Sequence, residues 1–151
     1  MDMLMAMAVS MGVLIAVWAW IGPMVSLAVP AGIVAWACFF AAGGKVQGLQ
    51  KAIASNLSGV VWVWLAMTLA GAMNLGGFAP VIIGVVAFIL VIQSKVAMLS
   101  FIPGAFCGAA VTAWARPGDV RGYVLIAVAL VAGALLGYIA EMGAGMIAKK
   151  A

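Results

Sequence analysis

Histidine is absent from these 151 residues, and only three of them are acidic. Without an imidazole and with so few carboxylates, no nucleophile stands beside a plausible base, so acid–base and covalent catalysis are poorly provided for. The chain is therefore expected not to be an enzyme. Cysteine is almost as scarce: Cys38 and Cys107 stand singly in separate apolar runs, without zinc spacing and too few for a disulfide framework. They read as buried free thiols, and no metal is expected. No glycine-rich turn joins a strand to a helix, which leaves nucleotide binding unsupported, and no cofactor is expected.

Charge is the broadest deficit. Charged residues make up 7% of the chain, where a soluble domain carries about 25%. Apolar residues make up 69%, in runs near the ~20 residues that cross ~30 Å of hydrocarbon as a helix. Short alternating strands of the β-barrel kind are missing from the pattern. The sequence is that of an all-α integral membrane protein.

Six segments emerge: Leu4 to Ile21, Met24 to Ala42, Ala52 to Met73, Phe78 to Ile92, Val96 to Ala115 and Tyr123 to Ile147. The breaks carry turn chemistry at Gly22-Pro23, Gly43-Gly44-Lys45, Asn74-Leu75-Gly76-Gly77 and Arg116-Pro117-Gly118-Asp119. The break at Gln93-Ser94-Lys95 has neither Gly nor Pro. A five-helix alternative runs Val81 to Phe101 continuously and places a half-helix after Pro103. The first segment lacks a basic stretch before it and further spans follow, so it is expected to be a retained helix rather than a cleaved signal.

The halves nearly repeat. Gly12 finds Gly84, Pro30 finds Pro103, Gly48 finds Gly122 and Gly59 finds Gly133, at offsets of 72, 73, 74 and 74 residues. With 19 glycines some coincidences are expected, and the proline match weighs most because only five prolines exist. Three spans per copy would set tandem copies in opposite orientations, the inverted-repeat plan of many channels and transporters. The expected architecture is a single membrane domain over residues 1–151, made of two inverted three-helix repeats of about 1–74 and 75–151.

Basic residues orient it. Lys45, Lys51, Lys95, Lys149 and Lys150 would share one side, Arg116 and Arg121 the other. The lysine-rich side, with both termini, is expected to be cytoplasmic. Topology and anionic lipid then account for the net charge of +4, and nucleic acid is not expected as a partner.

Pro30 and Pro103 offer the sharpest local chemistry. Inside a helix, each would free the carbonyl four residues back, at Ser26 and Leu99, and in hydrocarbon that carbonyl needs a new partner. Gly32 and Gly104 bare the backbone further, and Ser26 and Ser100 stand nearby as hydroxyl donors. A packing kink, with each serine bonding its own helix, explains the same residues. Trp18, Trp20 and Trp114 lie near span ends, as an interfacial belt requires. Trp36, Trp62 and Trp64 lie deeper, where an indole either narrows a pore or fills space between lipid tails. Glu141 is the lone carboxylate inside a predicted span, either a gate or proton site or a group snorkelling or paired with Lys149 or Lys45. Lys51, Ser55, Asn56 and Ser58 gather at the predicted start of the third span and read as a polar helix entrance, from which Asn56 and Ser58 could reach a lumen.

Small residues line the helix faces. Gly104 with Gly108 and Gly133 with Gly137 form GxxxG pairs that let backbones approach closely. Six helices in so short a chain make a thin bundle, so a homo-oligomer using some of these stripes is expected.

The stretches Trp36-Ala37-Cys38-Phe39-Phe40-Ala41-Ala42-Gly43-Gly44 and Phe101-Ile102-Pro103-Gly104-Ala105-Phe106-Cys107-Gly108 resemble those of the YcdZ-like family of small bacterial inner-membrane proteins. The resemblance covers most of the chain and implies a bacterial inner-membrane location and a helical architecture. It transfers no catalytic or binding residue, since the family's domain has no known function. The expected activity is that of a channel or facilitator for a small neutral or weakly polar solute, because pumps normally keep carboxylates near the midplane. The expected path runs by Ser26, Pro30, Gly32, Trp36, Trp62, Ser100, Pro103, Gly104 and Thr112. The alternative is a structural subunit that scaffolds another membrane complex through its Gly and Ala faces.

Overall fold

The computed structural model describes residues 2–148. Among these residues all regular structure is helical, in the order α1 (Met3–Met24), α2 (Val29–Ala41), α3 (Lys45–Ala72), α4 (Ala79–Ile92), α5 (Ile102–Ala115) and α6 (Val120–Ile147). Short 3₁₀ turns at Gly76–Phe78, Gln93–Lys95 and Ala97–Leu99 flank α4. Four stretches are long and apolar enough to cross a membrane: α1, α3, Gly76–Lys95 and α6.

The remaining two helices are shorter than expected. α2 has 13 residues and α5 has 14, about 20 Å each at 1.5 Å per residue, well under the ~30 Å of a hydrocarbon core. The reason is where the prolines fall. Pro30 and Pro103 occupy the first turn of α2 and α5, where a missing N–H costs nothing and a fixed φ favours initiation. They start helices instead of kinking them, so the carbonyls of Ser26 and Leu99 are not freed in mid-helix as the sequence suggested. The residues expected to begin these spans are irregular instead. Ser26 is left-handed at φ 61°, and Val96 is extended between the two 3₁₀ turns. α4 ends at Ile92, where the six-segment reading stops it, and a short helix starts beside Pro103, as in the five-helix alternative.

α3 departs in the other direction, beginning seven residues before the expected Ala52. Gly43, Gly44 and Lys45 take positive φ in succession, folding the chain back in a tight turn so that the polar stretch Lys45–Gln50 becomes the first turns of α3. Both α3 and α6 then run for 28 residues, about 42 Å.

The packing centres on two seams, α2 against α6 and α3 against α5, with α3 also against α6. Glycines set both. A Cβ on Gly133 of α6 would collide with the carbonyl of Gly32 in α2, and one on Gly59 of α3 with the carbonyl of Ala105 in α5. On the opposite face of the second seam, Gly108 meets the backbone of Asn56 just as closely. Such contacts replace the hydrophobic drive that lipid cannot supply with dispersion between backbones. The GxxxG pairs expected partly between subunits are thus used within the chain: Gly133 and Gly137 receive α2, Gly104 and Gly108 receive α3.

Candidate functional site

The two seams carry different side chains. Where α2 meets α6 the filling is Ala31, Ala35, Ala129, Leu130 and Ala134, closed at one end by Trp18. Trp18, expected in an interfacial belt, is buried. It covers Gly32, where a Cβ would lie 2.5 Å from the indole, and its Nε1–H donates to the Val29 carbonyl at 3.1 Å. That bond satisfies the buried indole N–H and ties α1 to the first turn of α2. Trp20 and Trp114 are 75% and 80% exposed, as a belt requires.

The α3–α5 seam is polar. Ser55 and Asn56 of α3 are 0% exposed, and neither the Ser55 hydroxyl nor either atom of the Asn56 amide has a hydrogen-bond partner among the described residues. Beside them the Cys38 thiol approaches Asn56 and Cys107 without meeting hydrogen-bond geometry to the amide. The cysteines come from α2 and α5, separate apolar runs of the chain, and the fold brings them into one cluster with Phe39, Ala52, Phe101 and Tyr138. Both thiols are free. Among the described residues no three potential metal ligands gather.

A hydrogen-bonded chain leads away from this point. The Trp62 indole N–H donates to Gln93 Oε1 at 2.9 Å, Gln93 Nε2–H donates to Ser58 Oγ at 2.8 Å, and the Ser58 hydroxyl donates to the Ser55 carbonyl at 2.7 Å. Gln93, at the end of α4, thus ties two turns of α3 to the irregular segment before α5. In the sequence Gln93 stands only in the break that has neither Gly nor Pro. Its usable signal was the spacing of Ser55, Ser58 and Trp62, which lie three and four residues apart and so on one helical face.

The expected path residues divide. Gly32, Trp36, Gly104 and Thr112 are buried, Trp62 is half-buried, and Ser26, Pro30, Ser100 and Pro103 are exposed. Gly104 lies against Ser55, to which an added Cβ would stand 3.1 Å away. Trp36 packs against Gly137 of α6, with its Nε1–H unpartnered. Thr112 donates to the Gly108 carbonyl at 2.8 Å, an own-helix bond that occupies its hydroxyl proton.

Glu141 has a definite partner. Its Oε2 accepts the backbone N–H of Lys45 at 2.7 Å, and Gly44 leaves room for the carboxylate, since a Cβ there would lie 2.9 Å from Oε1. An anion at the amino end of a helix is favoured by the unpaired N–H groups and the macrodipole. Glu141 therefore fastens α6 to the α2–α3 turn through the Lys45 backbone. Lys149, weighed as its partner, and Lys150 lie outside the described residues.

The family described as "Protein of unknown function (DUF1097)" matches residues 8–145. The chain is 36% identical over 142 residues to inner membrane protein YcdZ of Escherichia coli K12, covering 91% of this chain and 83% of the relative. It is 35% identical over 140 residues to inner membrane protein YcdZ of Salmonella typhimurium, with 91% and 85% covered. A third relative, uncharacterized protein YahC of Escherichia coli K12, is 32% identical over 155 residues, with 95% and 92% covered. No solved structure gives a significant match.

Proposed function

The chain belongs to the DUF1097 family, and from its buried polar site we propose that it is a membrane channel or facilitator for a small neutral or weakly polar solute. The observation that carries this reading is the pair Ser55 and Asn56, fully buried and unpartnered. Leaving such groups unpaired costs about 1–3 kcal/mol each, a cost an apolar seam avoids. Donors and an acceptor held in reserve are what a passing solute needs in place of its water. The path is accordingly drawn by Ser55, Asn56 and Gly104, with Trp62 at its flank, in preference to the exposed Ser26 and Ser100.

The architecture in this reading is a six-helix pair of inverted repeats, α1 to α3 and α4 to α6, in one membrane domain. Its support is reciprocal contact: Gly59 against Ala105 answers Gly133 against Gly32, at offsets of 74 and 73 residues. Short helices opened by prolines, meeting below the surface of the bilayer, are the discontinuous elements around which transporter sites form. Both termini lie on the lysine-rich, cytoplasmic side, and the protein works as a homo-oligomer in the inner membrane. With Glu141 engaged at a helix end, no buried carboxylate is left to couple flux to protons, so transport is passive. Catalysis has no part in this reading.

The test is stopped-flow light scattering on proteoliposomes challenged in turn with urea, glycerol and small amides. Solute-selective reswelling faster than in empty liposomes, abolished by Asn56→Leu, is expected. No excess flux from folded protein would overturn the reading in favour of a structural subunit of a larger membrane complex.

A further inference from the structure

A groove of about 640 Å³ opens between α3, α4 and α5. Its walls include Met67 of α3, Val86 and Leu90 of α4, and Phe106 and Ala110 of α5, and at one end stands Arg116. Arg116 is the left-handed residue that ends α5, and it is exposed. The groove's outer wall, the stretch Gly76–Lys95, is the least covered of the four long apolar stretches.

We propose that this groove holds one acyl chain of an anionic phospholipid, with the lipid's phosphate on the Arg116 guanidinium. Length supports it: Phe106 and Arg116 are ten residues apart on α5, about 15 Å by helical rise, and one leaflet is half of ~30 Å of hydrocarbon. Charge supports it as well. Arg116 sits at a helix end, where an arginine stem lies on apolar surface and its head reaches the headgroups, and Arg121, five residues on in the chain, is exposed as well. Asp119, the carboxylate of the same loop, is engaged at the start of α6 by the Gly122 N–H at 2.8 Å. A second crevice is smaller. Between α1 and α6 lies a space of about 380 Å³ whose lining among the described residues, Val9, Val13, Ile139 and Met146 included, is uncharged.

The experiment is native mass spectrometry of the detergent-purified protein given equimolar phosphatidylglycerol and phosphatidylcholine of matched chains. One retained lipid, with phosphatidylglycerol favoured about fivefold as for one arginine near an anionic surface, is expected. Arg116→Gln should equalise the two lipids, and Ala110→Phe should displace both. Equal retention of the two by the native protein, or an unchanged preference in Arg116→Gln, would overturn the assignment. So would a lipid-free oligomer that Ala110→Phe dissociates, which would put a second copy of the chain in the groove. Arg116→Gln alters an exposed residue and so keeps the test decisive even if Ala110→Phe does not fold.

Discussion

The α2–α6 and α3–α5 seams share a backbone geometry and differ in what they bury. Gly133 and Gly59 each admit a facing carbonyl, yet 74 residues apart Leu130 on α6 stands where Asn56 stands on α3, and Ala129 where Ser55 stands. The first pair is sealed in a hydrocarbon cluster, and the second is left without partners. Packing alone asks for neither Ser nor Asn, since the apolar seam closes as tightly without them. Their presence on one side is a departure from the most stable filling, and such departures concentrate where function is.

The largest expected effect comes from breaking the feature both seams share. Gly133→Ala and Gly108→Ala each drive a methyl group into facing backbone that no rotamer change can move, at a cost of about 3 kcal/mol or more. Thermal unfolding in detergent should show comparable losses for the two. A tolerated alanine at either position would mean that its seam is looser than the other.

Exchanging the fillings sharpens the contrast, because the two substitutions should have opposite signs. Leu130→Asn buries an unsatisfied amide and should destabilise by about 2–4 kcal/mol. Asn56→Leu removes one and should stabilise by about 1–3 kcal/mol while abolishing solute flux. If Asn56→Leu lowers the unfolding temperature, the amide is serving structure through a bound water, and the solute reading loses its main support.

Smaller effects probe the two ends of the apolar seam. Trp18→Phe keeps the cover over Gly32 but loses the bond to the Val29 carbonyl, and about 1 kcal/mol of stability should go with it. Glu141→Gln keeps the shape and removes the charge at the start of α3, for a loss of about 0.3–1 kcal/mol. Both are measured as shifts of the unfolding midpoint, and neither should change solute selectivity.

Much of the fold could be read from the chain because the bilayer allows so few solutions. Scarce charge and apolar runs left helices as the available form, and the extents of α1, α4 and α6 fall within a few residues of the hydropathy pattern. The misplaced boundaries have local causes. At Gly43-Gly44-Lys45 three successive positive φ values let α3 start early, which moved Ser55 and Asn56 from an expected entrance to about 15 Å inside the helix at 1.5 Å per residue. Before Pro30 and Pro103, the chain held apolar residues that hydropathy counts as helix but that the structure leaves irregular.

The sequence by itself determined that this protein is helical and lives in a membrane, that its small residues permit close helix contact, and that charge is scarce along its apolar runs. Those properties are sums over composition and spacing, and each residue contributes whatever its neighbours in space are. Only the tertiary structure decided that Cys38 and Cys107 meet, that Gln93 joins Trp62 to Ser58, that Glu141 caps α3, and that Asn56 is left alone. Hydrogen bonding is directional and short in range, so a polar side chain's role depends on which atoms lie within about 3 Å of it, and that is settled by the packing of helices distant in the chain.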